Sequence, residues 1–130
     1  MEAKKILTEF LQAWVDQDYK LMYKLSQKTW ADKNPVKQLE WLFRDSILKD
    51  FNIFSTSYVS GSSMKYGVDL TLNDDTKLMS LINVICEAAP LKPAPWGEWG
   101  VNPSSVLNIV QKVTPKAASK EVKGKSNAKK

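Results

Sequence analysis

The chain has 130 residues, of which 43% are hydrophobic and 25% charged, with a formal net charge of +5; this fits one soluble globular domain and excludes collagen-like, coiled-coil and wholly disordered proteins. The absence of histidine and the single cysteine, Cys86, exclude histidine-dependent catalysis, internal disulfides and the common zinc sites, so we expect no metal or other cofactor. No apolar run approaches the roughly 20 residues of a membrane span and the first residues lack a signal peptide's apolar core, so we expect a cytoplasmic protein, with a leader before Met1 left open.

The first third of the chain has the periodicity of amphipathic helices. Apolar residues recur at helical spacing over residues 3–16, which predicts a helix with one buried face. Asp18 is a suitable N-cap for a second helix over residues 19–27. Asn34 and Pro35 are residue types that begin helices, and they predict a third. Since the connections are short, we expect these helices to pack against one another or on a common layer.

After residue 50 the pattern changes to the period of two that is typical of strands. Residues rich in β-branched and aromatic side chains alternate between turn signals. They predict four strands, at 51–59, 64–72, 76–88 and 98–101, the last with an extension through 106–110. Helices followed by a run of strands indicate an α+β fold, in which N-terminal helices pack on one face of an antiparallel sheet of about four strands.

The third predicted strand is apolar on both faces in its middle. One face is the expected core face, and the other carries Met79, Leu81 and Ile85. An apolar outer face of this kind needs a cover, and a second copy of the chain could supply it. We therefore expect a homodimer that forms through the sheet, with burial under the chain's own loops as the alternative.

The segment 88–103 is stiff and aromatic, with four of the six prolines and two of the five tryptophans. Proline restricts the backbone before a partner arrives, so an exposed Trp96 could bind a hydrophobic partner at a low entropic cost. The segment could form a lid or a contact surface for another protein. In the alternative interpretation the tryptophans close the open end of the sheet, which we favour for Trp99 and not for Trp96.

The C-terminal segment differs in composition from the rest. Residues 112–130 contain seven lysines and one glutamate, a net charge of +6, so residues 1–111 carry −1. Too few apolar residues are present to offset the entropy of ordering, and we therefore predict one domain over 1–111 and a flexible lysine-rich tail over 112–130. The lysines could contact nucleic-acid phosphates, and the alternative is a solvated terminus. The candidate phosphate contacts are Lys116, Lys120, Lys123, Lys125, Lys129 and Lys130.

Aromatic residues recur in the first two helices and in the last predicted strand. The helices contain Phe10-Leu11-Gln12-Ala13-Trp14, Asp18-Tyr19 and Met22-Tyr23-Lys24-Leu25, and the strand contains Gly97-Glu98-Trp99-Gly100-Val101. Over residues 3–110 the chain thereby resembles the nuclear transport factor two-like superfamily. The resemblance implies a cystatin-like, cone-shaped α+β fold with a strongly bent sheet and a cavity between the helices and the concave face of the sheet.

The implied cavity directs attention to aromatic side chains. Trp30 and Trp41 are expected in the core or the cavity wall. The candidates for cavity lining or partner binding are Trp14, Tyr19, Tyr23, Trp30, Trp41, Tyr58, Trp96 and Trp99. Enzymes of this superfamily commonly place an acid with a tyrosine, or a His–Asp pair, in the cavity. Here histidine is absent and the carboxylates have structural explanations at helix ends, turns and polar strand faces, so we assign no catalytic residue.

Three functions of different classes remain. The first is a non-enzymatic domain that binds a protein partner or a small apolar ligand and dimerises through its sheet. The second is a nucleic-acid-associated accessory protein of a phage or mobile element, which uses the basic tail. The third, a small isomerase or dehydratase, requires a cavity acid with a raised pKa.

Overall fold

Four helices precede the sheet in the computed structural model, which describes residues 2–114. They are α1 (Glu2–Val15), α2 (Tyr19–Lys24), α3 (Lys28–Lys33) and α4 (Val36–Phe43). The first helix is confirmed at its predicted place. The carboxylate of Asp18 accepts a hydrogen bond from the Leu21 N–H at 3.1 Å, so the predicted N-cap of the second helix is confirmed too. None of the helices in this part of the chain is long and apolar enough to cross a membrane.

The second predicted helix, over residues 19–27, is wrong in its C-terminal part. It ends at Lys24, and a separate helix, α3, carries Trp30. Between them the backbone leaves the helix and lies alongside Val101: the Gln27 N–H donates to the Val101 carbonyl at 2.7 Å, and the Val101 N–H donates to the Leu25 carbonyl at 2.9 Å. These long-range bonds replace the helical ones that a local pattern predicts.

A six-stranded sheet follows the helices within the described residues. Its strands are β1 (Leu48–Ser60), β2 (Ser63–Leu72), β3 (Lys77–Ala89), β4 (Lys92–Pro93), β5 (Glu98–Val101) and β6 (Ile109–Val113), with a short helix α5 (Pro103–Val106) before the last strand. The strands pair antiparallel: β1 pairs with β2, β2 with β3, and the three short strands pair with different parts of β3. The α+β fold with N-terminal helices is therefore confirmed.

The predicted extension of the last strand through 106–110 is wrong. The side chain of Asn102 accepts from the Ser104 N–H at 3.0 Å, and Pro103 occupies the first turn, so α5 begins here instead. After it, β6 pairs with residues 77–80 of β3, whereas β5 pairs with residues 84–87. β6 reaches Val113, beyond the domain boundary predicted at residue 111.

The two faces of β2 differ as the alternating pattern predicts. Tyr66 and Val68 have no accessible surface and belong to the core with the helices, whereas Lys65 and Asp69 are exposed. We call the helix-covered face the inner face and the opposite one the outer face. The core between the helices and the inner face includes Leu7, Phe10, Leu11, Trp14, Met22, Leu39, Phe43, Leu70, Ile82 and Val84.

A β-bulge shifts the register between β1 and β2 in the middle of β1. Ile53 pairs with Val68 and Ser55 with Gly67, so Phe54 is an extra residue on β1. The Ser55 hydroxyl accepts from the Gly67 N–H at 3.1 Å. A side chain at Gly67 would collide with the Phe54 ring, at 2.8 Å from its Cζ, so the missing side chain leaves room for that ring on the outer face.

Candidate functional site

The interior between the helices and the inner face of the sheet is filled by side chains. Leu7, Phe10, Met22, Leu39 and Tyr66 all have no accessible surface. Each therefore contacts protein atoms on every side, as expected for a densely packed core. The search for a functional site consequently moves to the surface and to buried polar groups.

Three of the aromatic candidates are structural. The Trp14 indole N–H donates to the Ser46 carbonyl at 2.7 Å, and the Trp30 indole N–H donates to the Ser104 hydroxyl at 3.0 Å. The Tyr23 hydroxyl lies 2.8 Å from the Ala31 carbonyl oxygen. Because their polar atoms are bonded within the fold, these side chains have the usual arrangement of core aromatics.

Three other candidates are exposed. Trp41 is 60% exposed, so its expected place in the core or cavity wall is wrong: it lies on the outward side of α4. Tyr58 near the end of β1 is 73% exposed and Trp96 is 81% exposed. Tyr19 and Trp99 are half-buried against the core. The eight candidates do not form one cluster, although the rings of Tyr23 and Trp30 meet edge to face with centroids 6.4 Å apart.

Trp99 lines an open cleft of about 410 Å³ between the start of α1, the end of α2 and β5. Lys28 and Glu98 form an ion pair there, and the hydrogen bond and positive charge of Lys28 lower the pKa of the Glu98 carboxyl. Glu2 and Lys24 complete the charged lining. Two acids and two lysines balance, so the cleft does not favour a ligand of either charge.

Glu87 is the one buried carboxylate among residues 2–114, with 1% of its surface exposed. It accepts hydrogen bonds from the Thr29 N–H at 3.0 Å, the Thr29 hydroxyl and the Gln27 amide at 3.2 Å. Thr29 Oγ1 in turn accepts from the Leu91 N–H at 2.7 Å. The carboxylate thus holds the first turn of α3 and the turn after β3 together, which is a structural role. Sequence reasoning missed it, and its only local signal is an acid within the apolar end of β3.

Two further groups with reactive side chains are buried. Burial raises the pKa of the Cys86 thiol, so the thiol is protonated and a poor nucleophile at neutral pH. Burial also raises the pKa of Tyr66, whose ring lies in the core. Within residues 2–114, no group of three or more His, Cys, Asp or Glu side chains is arranged to hold a metal ion.

The outer face of the sheet carries the three residues predicted for a dimer interface. Met79 and Ile85 are half-buried there, and Leu81 is 36% exposed. The register places Gly67 beside Leu81, and Phe54, 47% exposed, lies over Gly67. Sequence reasoning missed Phe54, although alternation with the core-facing Phe51 and Ile53 already places it on this face.

A second exposed apolar region lies at the end of the sheet where β1 and β3 finish. We call residues 58–61 and 90–96 the hairpin tips. They present Tyr58, Val59, Leu91 and Trp96 to solvent. A methyl group at Gly61 would lie 3.9 Å from Pro95 Cβ, so the two tips adjoin.

The candidate phosphate contacts Lys116 to Lys130 lie outside the described residues.

A scan against protein-family models finds no match for this chain, and a search of curated proteins finds no relative. The functional argument therefore depends on the two exposed apolar surfaces.

Proposed function

We propose that this protein is a non-enzymatic interaction domain that forms a homodimer through the outer face of its sheet. The proposal rests on one observation: Leu81, which pairs with Gly67, and Phe54, whose ring covers Gly67, are both exposed on the outer face of the sheet. It includes membership of the nuclear transport factor two-like superfamily, supported by the N-terminal helices and the bulged antiparallel sheet. It does not include a ligand cavity, since the core is filled.

The apolar residues of the outer face form a short row across three strands. Gly67 on β2 pairs with Leu81 on β3, and the ring of the bulge residue Phe54 on β1 covers Gly67. Met79 flanks this row on β3. Because the Phe54 ring covers Gly67, Phe54 and Leu81 form one apolar patch against which an identical face can pack.

The charges beside this row are self-complementary. Lys65 and Asp69 lie on β2, two residues to either side of Gly67, and both are exposed. A two-fold axis along the row would place Lys65 of one copy opposite Asp69 of the second copy, and the reverse. Such reciprocal pairs are what a closed dimer interface requires, and they favour a second copy over an unrelated partner.

The first test is light scattering after size exclusion over a range of protein concentrations. We expect a dimer for the parent chain and a monomer for Leu81→Lys, because a lysine in the centre of the interface leaves a buried charge unpaired. Trp41→Lys is the matched control, since it adds the same charge at an exposed aromatic position off the sheet, and it should remain dimeric. A parent that is monomeric throughout, or a Leu81→Lys variant that dimerises like the parent, overturns the proposal.

Charge exchange tests the two-fold arrangement itself. Lys65→Asp and Asp69→Lys should each weaken the dimer, because each creates two like-charged pairs across the interface. An equimolar mixture of the two variants should form a mixed dimer, since one copy then contributes two acids and the other two lysines. A mixture that associates no better than either variant alone contradicts this arrangement.

A further inference from the structure

The hairpin tips carry apolar side chains that neither the core nor the outer face of the sheet accounts for. Leu91 is 70% exposed and Trp96 is the most exposed large hydrophobic residue of the described chain. Tyr58 and Val59 of the neighbouring turn are exposed beside them. Exposed apolar residues grouped at one end of a molecule indicate a contact surface.

The backbone of the tips is held in place before any contact. Leu91 has a φ of 64°, in the left-handed region that glycine prefers, and follows Pro90 in the turn between β3 and β4. Its N–H donates to Thr29 Oγ1, which is bonded to the buried Glu87. Trp96 lies in a second turn, in which the Gly97 N–H donates to the Ala94 carbonyl at 3.0 Å. A strained leucine fixed in an exposed turn is a feature that packing does not explain.

The tips carry a single charge, which is positive. Residues 58–61 contain no charged side chain, and Lys92 is the only charged residue over 88–97. The nearest acids in sequence have partners within the fold: the buried Glu87 accepts hydrogen bonds from Thr29 and Gln27, and Glu98 forms an ion pair with Lys28. The tips therefore combine apolar side chains with one lysine, Lys92, and no carboxylate of their own.

We propose that the hairpin tips are a membrane-docking surface, which inserts Leu91 and Trp96 into the interfacial layer of a bilayer that contains anionic lipids. Tryptophan and tyrosine are favoured at the headgroup level, and lysines beside them are attracted to anionic headgroups. Side chains that project from separate turns also fit a deformable bilayer better than a protein partner, whose binding requires a complementary packed surface. This surface does not overlap the proposed dimer face.

The test is co-sedimentation of the full chain with two kinds of vesicle: phosphatidylcholine alone, and equal parts of phosphatidylcholine and phosphatidylglycerol. We expect binding to the anionic vesicles, with a shift of tryptophan emission to shorter wavelength as Trp96 leaves water. Trp96→Ala and Leu91→Gly should each weaken binding about tenfold, because one large side chain no longer transfers out of water. Leu91→Gly also suits the backbone of its turn, so loss of binding cannot result from misfolding.

Trp41→Ala is the matched control, since it removes an exposed tryptophan from α4 and should leave vesicle binding unchanged. Every variant retains the lysines of residues 112–130. Anionic-vesicle binding that Trp96→Ala and Leu91→Gly leave unchanged is therefore carried by those lysines, and this outcome overturns the proposal. So does the absence of binding to anionic vesicles, or equal binding to both kinds of vesicle.

Discussion

The inner and outer faces of β2 and β3 use the same alternation of residues but have different environments. On the inner face Tyr66, Val68 and Ile82 have no accessible surface. On the outer face, the residues next to them in sequence include exposed Lys65 and a partly exposed Leu81. Alternation alone therefore assigns residues to the two faces. Burial in the core explains the apolar residues of the inner face, but it does not explain an apolar residue on the outer face.

The largest expected effect comes from substitutions at two adjacent positions of β3, one on each face of the sheet. Ile82→Ala should lower the free energy of unfolding by about 2–5 kcal/mol, because it removes fully buried methyl groups and leaves a cavity. Leu81→Ala should cost below about 1 kcal/mol in the monomer, since Leu81 is partly in water. Urea unfolding at low protein concentration measures both.

Protein concentration then sharpens the result for Leu81. If the outer face is buried in a dimer, the loss caused by Leu81→Ala should grow as the protein concentration rises, because dimerisation stabilises the folded state by mass action. The loss of stability caused by Ile82→Ala includes the same cost of the cavity in the core at every protein concentration. Losses of equal size for both variants in the monomer would contradict the assignment of the two faces.

Two glycines extend the comparison to the hairpin tips. Gly97, next to one tip, lies in a packed environment, and Gly61, in the other tip, lies in an open one. A methyl group at Gly97 would lie 2.2 Å from the Glu87 carbonyl carbon, which is backbone and cannot rotate away. At Gly61 the nearest atom would be Pro95 Cβ at 3.9 Å, an ordinary contact. Gly97→Ala should therefore destabilise the fold by about 1–3 kcal/mol.

Gly61→Ala is the control for this substitution and should change stability by less than about 0.5 kcal/mol. Thermal unfolding followed by circular dichroism compares the two variants. Equal melting temperatures would show that the segment carrying Gly97 does not pack against β3 as described.

The smallest expected effect concerns an exposed carboxylate at the turn between β2 and β3. Hydrogen bonds from Thr76, with a smaller contribution from the charge of Lys112, lower the pKa of Asp74 below its ordinary value. A carboxyl whose folded pKa is lowered stabilises the fold above its unfolded pKa of about 3.9, and this contribution is lost as the pH falls through the folded pKa. Asp74→Asn should therefore reduce the loss of stability on acidification.

Urea unfolding between about pH 2 and pH 7 measures this dependence. Asp32→Asn is the control, since Asp32 is an exposed residue of α3 that lies outside the proposed dimer face. An acid dependence of Asp74→Asn that matches the parent would contradict a role for the Thr76 hydrogen bonds.

Much of the fold follows from periodicity. The change from helical spacing to alternation near residue 50 predicts the α+β class, and the faces of β2 are where alternation places them. The error over residues 19–27 comes from long-range pairing, since Leu25 and Gln27 bond to Val101. The error over 106–110 comes from the helix start at Asn102 and Pro103, after which β6 pairs with a different part of β3 from β5.

The candidate surfaces were predictable only in part. The apolar outer face of β3 and an exposed Trp96 can be read from alternation and from the proline-rich segment. The contact of the Phe54 ring with Gly67 cannot, because it joins two strands, and neither can the bonds that connect Leu91, Thr29 and Glu87 across the fold. Trp41 shows the opposite error, since the helical spacing of Val36, Leu39 and Phe43 already places Trp41 off the core-facing side of α4.

The sequence by itself determined the α+β class, the amphipathic faces, the absence of histidine chemistry and the apolar excess on β3. Only the tertiary structure decided that the interior is filled, that the Phe54 ring covers Gly67 next to Leu81, and that the two hairpin tips adjoin. The physical reason is that periodicity depends on neighbours along the chain. Packing, bulges and buried hydrogen bonds depend on residues that are distant in sequence and meet only in the fold.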